Sequence, residues 1–429
     1  MYRPISNFPR DNGNVIILGA GASYDSSLKC KPPIIKDFVR KSKEFGIFNK
    51  YSLLWEFLDS IGYPIEDIFK GNPDIEKIYS VLDILSTGLW FRNANEYYNE
   101  LGKFLKILPT DLLKSFIIEM INKPSIEALH NPCVYHNRIF EELNSGDIVI
   151  SFNYDLIAES SLYKTGKWSE FNGYGFYCPE ILFKEEKEFF SSLYDIEKYW
   201  SELKDNDIKG NSSKILLLKP HGSINWILRG GSRKKEWSDL PSFHEQLFDT
   251  NKIGGRERIE VKPLKKILHE NKELIITQPI KDLELVQDFY EELKADPDNL
   301  DAFSEVKRFS YRGIFKGSYI IPPSTYKLTS LLPYEMIEIW SILKRALFKA
   351  NRILFVGYSF READLQFNTI FNLAMRNNES KDLKIGIIDP KKNEITKKLK
   401  CSFERIKIEP LCDYFREISD IDLSSFFNK

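Results

Sequence analysis

The sequence predicts an α/β protein, a doubly wound parallel sheet into which helical modules are inserted. Two observations carry that expectation. Four short apolar runs, each closing on small or polar residues, are spread along the 429 residues, and long stretches with apolar residues at three and four spacing lie between them. Parallel strands are buried on both faces and so read as continuous apolar runs, whereas amphipathic helices show the three and four spacing. Runs of the first kind alternating with stretches of the second describe a Rossmann-like architecture.

The first run, Val15-Ile16-Ile17-Leu18, ends in Gly19-Ala20-Gly21-Ala22-Ser23. Glycines allow a tight turn and close approach of a ligand, and the helix that follows starts with unpaired N–H groups and a positive dipole end. Such a turn can hold a phosphate. The six-position dinucleotide fingerprint has a third glycine where Tyr24 stands, so this turn alone does not separate nucleotide binding from a plain strand end.

From about Tyr51 to Asn144 the chain reads as helical, with Ile78, Val81, Leu82 and Leu85 on one face. Asn72-Pro73-Asp74 and Pro109-Thr110-Asp111 are expected to break or start helices there, with Asn72 as cap and Pro73 at the first helical position. The second strand-like run, Ile148 to Phe152, leads into Asn153-Tyr154-Asp155. A shorter helical insertion is expected over about 172–212, with Glu180 to Leu203 as its helix. The third run, Ile215 to Leu218, passes through Lys219 and Pro220 into His221-Gly222-Ser223. The charged segment Arg229 to Lys235 reads as a solvated loop, and Ile320 to Lys327 as a strand ending in a rigid Pro-Pro turn. The fourth run, Ile353 to Val356, ends in Gly357-Tyr358-Ser359-Phe360, and Ile387-Ile388-Asp389-Pro390 closes a late strand. In an open parallel sheet the carboxyl ends of strands line one crevice, so these four motifs can converge on one ligand.

In order and content the motifs resemble the sirtuin superfamily, specifically its bacterial sirtuin-like branch of anti-phage defence. Gly19-Ala20-Gly21-Ala22-Ser23 is similar to the GAGxS turn, Asn153-Tyr154-Asp155 to the N-x-D element, His221-Gly222 to the catalytic HG and Gly357-Tyr358-Ser359 to the G-x-S element. The resemblance implies NAD as substrate. Gly19, Ala20, Gly21, Ala22 and Ser23 would hold its pyrophosphate, with Gly357 and Ser359 closing from the other side. Asn153 and Asp155 would face the nicotinamide ribose, His221 would act as base, and Asp389 would sit near the adenosine. It also implies a catalytic domain from 1–45 and 146–429, with 46–145 as helical insertion.

Deacetylating sirtuins carry a zinc ribbon of two Cys-x-x-Cys pairs. Here Cys30, Cys133, Cys178, Cys401 and Cys412 are scattered, so no zinc is expected. The Pro-Asp-Phe-Arg element is missing as well, and Lys31 to Phe38 occupies that stretch. Water then becomes the simplest acceptor, which makes the expected activity an NAD glycohydrolase that depletes NAD in abortive infection. A sensor module that binds NAD or ADP-ribose, and an ADP-ribosyltransferase, are the alternatives. His130, His136, His244 and His269 read as surface or structural, and Trp226, Tyr326 and Trp340 as core. Asp364 reads as a helix cap or a ribose contact. Asn153→Ala and His221→Ala are expected to stop cleavage and leave folding intact, and Gly21→Val to weaken NAD binding.

Bulk properties fit this reading without suggesting it. The 61 basic and 62 acidic side chains leave a net charge of -1, so nothing draws the chain to nucleic acid or an anionic membrane. No apolar run reaches the roughly 20 residues of a membrane span, and scattered cysteines fit reduced thiols in a cytoplasm. Similar short sirtuin-like proteins imply regulation from outside, through a homo-oligomer or a separately encoded sensor such as a HerA-type ATPase.

Overall fold

Six strands, β1 (Asn14–Leu18), β2 (Ile148–Ser151), β3 (Leu216–Leu218), β7 (Arg352–Val356), β8 (Lys384–Ile388) and β9 (Lys407–Cys412), form one sheet in the order β3-β2-β1-β7-β8-β9. Every neighbouring pair in it is parallel. The computed structural model describes residues 13–34, 37–64, 74–84, 100–170, 172–176, 213–229, 258–264, 267, 318–323, 333–361, 364–380 and 382–427. β1, β2 and β3 are buried along their whole lengths, which is why they read as unbroken apolar runs. The chain runs outward from β1 through β2 to β3, then returns to β1's other side as β7. The order reverses between β1 and β7, and in such sheets ligands enter the crevice at the carboxyl ends flanking that switch point.

Helices α1 (Ala20–Tyr24), α2 (Phe38–Glu44), α3 (Ser52–Ser60), α4 (Ile75–Ile84), α5 (Glu100–His130) and α6 (Val134–Glu141) occupy the chain between β1 and β2. Their side chains Leu54, Trp55, Ile78, Leu82, Phe116 and Ile117 belong to the same hydrophobic cluster as Ile16 and Ile17 of β1. The expected break at Pro109 does not occur, because α5 continues through both Pro109 and Pro124. Proline removes a hydrogen bond and strains the preceding turn. Leu112, Leu113, Phe116, Ile117 and Met120 are nearly fully buried along the same helix, and at roughly 1.5–3 kcal/mol each their burial outweighs that cost. α4 starts at Ile75, two residues after the expected first helical position at Pro73, and the Asp74 carboxylate accepts the Glu76 N–H at 3.0 Å.

After β2 come α7 (Ile157–Lys164) and then β3, followed by β4 (Gly222–Arg229), β5 (Arg258–Val261) and β6 (Ser318–Ile320). These last three form a separate antiparallel sheet, β5-β4-β6, which the sequence did not suggest. Helices α8 (Tyr334–Lys349), α9 (Leu365–Arg376), α10 (Lys392–Ser402) and α11 (Leu423–Phe427) complete the described chain. Among the described residues no helix is long and apolar enough to cross a membrane. The Glu180 to Leu203 stretch, Asn72, Pro73, Leu85, Cys178, His244 and His269, and residues 230–235 and 324–327 lie outside the described residues.

Candidate functional site

The glycine turn after β1 packs directly on the turn after β7. Gly19 N–H donates to the Val356 carbonyl at 3.0 Å and Gly21 N–H to the Gly357 carbonyl at 3.1 Å. A Cβ on Gly19 would lie 2.3 Å from the Gly357 oxygen, and one on Gly21 would lie 2.7 Å from the Gly357 Cα. These glycines therefore let two strand ends meet, and their N–H groups already serve the backbone. Of the five turn residues, Ala20 is exposed, Gly21 is half-buried, and Ala22 and Ser23 are buried.

Asn153 joins this turn to the end of β2. Its side-chain amide donates to the Gly19 carbonyl at 2.9 Å and to the Ser23 hydroxyl at 2.8 Å. Asp155, two residues on and buried, accepts the Ile157 N–H at 3.1 Å and so starts α7. Asn153 and the GAGxS-like turn are thus brought together, with Gly357 against both glycines. Ser359 is exposed. Asp389 lies one strand further out, at the end of β8, and accepts the Lys391 N–H at 2.8 Å; burial pushes its carboxyl above the usual range.

His221 stands in the turn from β3 to β4, where the chain enters the antiparallel sheet. Gly222 has φ +81, and a Cβ there would come within 2.3 Å of the Tyr319 carbonyl on β6, so the glycine after this histidine is required by the neighbouring strand. The His221 carbonyl accepts the Ile321 N–H at 2.8 Å. The imidazole packs edge-on against Phe152, ring centroids 4.9 Å apart, and its Nε2 lies 3.5 Å from Asp364 Oδ1. Asp364 holds the N-cap position of α9 yet makes no side-chain capping bond. Its other oxygen accepts the Tyr358 hydroxyl at 3.0 Å. Burial, with the Asp364 charge beside it, holds the Tyr358 phenol well above its ordinary range.

His221, Asp364, Ile321, Trp340 and Phe367 line a small, partly enclosed cleft of about 10 Å³. Behind them the Phe152 ring packs against those of His221, Tyr358 and Phe367, with centroids 4.9 Å apart in each pair. Helix α4 reaches the same region through Glu76, which pairs with Arg361 at 2.5 Å. Trp226 is fully buried and Trp340 nearly so. His136 is buried against Phe415, and His130 is exposed. Among the described residues no three His, Cys, Asp or Glu side chains gather as a metal ion would need.

Sequence reasoning missed Phe152, Tyr358 and the buried Lys219–Glu159 pair, whose partners lie far apart in the chain. One signal was present: a lysine closing an apolar strand must find a countercharge. No known protein family matches the chain, and no curated protein matches it.

Proposed function

We propose that this chain hydrolyses NAD to nicotinamide and ADP-ribose. The observation that carries the reading is the approach of the His221 imidazole to the Asp364 carboxylate beside the strand ends that bear Asn153 and Gly357. Phosphate cradling alone calls for neither an imidazole nor a carboxylate aimed at it. In the proposed reaction the C–N bond to nicotinamide breaks, and the electron pair leaves with nicotinamide. Water supplies the oxygen to the cationic sugar carbon, and His221, oriented by Asp364, takes its proton. A carboxylate that orients a histidine and stabilises its protonated form is a recurrent arrangement in general-base catalysis.

The same bond is broken if a protein side chain replaces water, so free ADP-ribose against labelled protein separates hydrolysis from transfer. NAD depletion during phage infection, restrained by self-association or by a separately encoded sensor or HerA-type ATPase, is the setting that the motif resemblance suggests. The test is chromatography of nicotinamide and ADP-ribose from purified protein incubated with NAD. Silence of the chain, alone and with candidate partners, would overturn the reading. Asp364→Asn is expected to lower turnover by roughly 10–100-fold with KM little changed, because the carboxylate acts on the histidine and not on bound substrate. An unchanged kcat in that variant would remove Asp364 from the mechanism.

A further inference from the structure

Lys219 and Glu159 form an ion pair at 2.6 Å with both side chains fully buried. Taking two charges out of water costs several kcal/mol per ion, and replacing such a pair by apolar residues is often neutral or stabilising. Its position gives it a different use. Lys219 lies two residues before His221, in the turn between β3 and β4. Its ammonium also donates to the Asp155 carbonyl at 2.5 Å, which ends the Asn153-Tyr154-Asp155 segment. Glu159 sits in the first turn of α7, the helix that follows that segment.

Glu159 Oε1 gathers further donors, the Tyr174 hydroxyl at 3.3 Å and the Ser223 hydroxyl at 3.4 Å. Ser223 lies on the other side of His221, and its neighbour Ile224 donates its N–H to the Tyr154 carbonyl at 3.1 Å. One carboxylate oxygen is therefore tied to both flanks of His221, and one ammonium spans from the histidine turn to the Asn153 segment. No atom of the pair reaches the cleft.

We infer that the Lys219–Glu159 pair is a positioning clasp that fixes the spacing between the Asn153-Tyr154-Asp155 segment and the His221 turn. The inference rests on the proposed cleavage only for its catalytic consequence; the spacing itself can be read without it. Misplacement of reacting groups by about 1 Å can cost on the order of 10²-fold in rate, so a clasp of this kind acts on kcat.

The test is the double variant Lys219→Met with Glu159→Gln, which removes both charges together and nearly keeps the side-chain volumes. Two readouts are taken beside wild type, NAD turnover and amide hydrogen exchange by peptide mass. The expected result is a kcat about 10- to 100-fold lower with KM within about threefold. Faster exchange should be confined to peptides covering 151–160 and 219–226, with β1 and β7 still protected. Unchanged exchange in those two segments overturns the clasp, as does locally faster exchange with full turnover. Exchange rising through the whole sheet also overturns it, since the pair would then support the fold at large. If wild type itself releases no nicotinamide, the proposed cleavage fails and the exchange pattern alone decides the clasp.

Discussion

Replacing His221 by alanine is expected to lower nicotinamide release by roughly 10²–10⁴-fold, the usual contribution of a placed general base. The variant should remain folded. His221 lines the cleft, and Asp364 keeps the Tyr358 hydroxyl as a donor once the ring is gone. The backbone bond from Ile321 to the His221 carbonyl is untouched by truncation. Circular dichroism and melting at matched concentration, beside the exposed His130→Ala as control, separate lost chemistry from lost fold. Full activity in His221→Ala would end the mechanism proposed above.

Asn153→Ala is a poorer probe than its place in the motif suggests. Its amide donates to both the Gly19 carbonyl, which also accepts the Ala22 N–H, and the Ser23 hydroxyl, and losing two buried hydrogen bonds costs about 0.5–1.5 kcal/mol each. The sequence-based expectation that this variant leaves folding intact therefore does not follow from the geometry. Gly21→Val meets the same objection, since its Cβ would press on Gly357 before any ligand is involved.

These revisions mark what the sequence could and could not convey. The central strands were legible because burial on both faces writes itself as Val15 to Leu18, Ile148 to Ser151 and Ile353 to Val356 without interruption. That the β1 and β7 turns face one crevice was implied only by the motif resemblance, and their direct backbone contact was not legible at all, since nothing local to Gly19 or Gly357 tells of the other more than three hundred residues away. The course of the chain after His221 was not written locally either. An apolar run followed by Lys-Pro-His-Gly suits a helix start as well as a second strand, and it is the pairing of β4 with β6 that decides it. Asp364 occupies a capping position in sequence, and only the fold turns its carboxylate toward His221 and Tyr358.

Gly357→Ala is expected to cause the largest loss of stability of any single substitution considered. Gly357 has φ +59, a conformation that costs an L-residue roughly 1–2 kcal/mol. The larger cost is steric. A Cβ there would stand 2.3 Å from the Ala22 nitrogen and 2.4 Å from the Gly21 carbonyl carbon, and both are backbone atoms that cannot swing aside. Relief requires parting the two turns, which breaks the Gly21 to Gly357 and Gly19 to Val356 hydrogen bonds and lifts Gly19 away from Asn153. Together these place the loss above about 4 kcal/mol, in the range reserved for a named structural failure. Gly62→Ala supplies the internal control. Gly62 has φ +90 with nothing within 4 Å of its added Cβ, so only the backbone strain remains. Thermal melts of the two variants beside wild type isolate the contribution of the close approach. A far greater fall for Gly357→Ala is the expected outcome, and equal falls would mean that the β1 and β7 turns do not meet as placed.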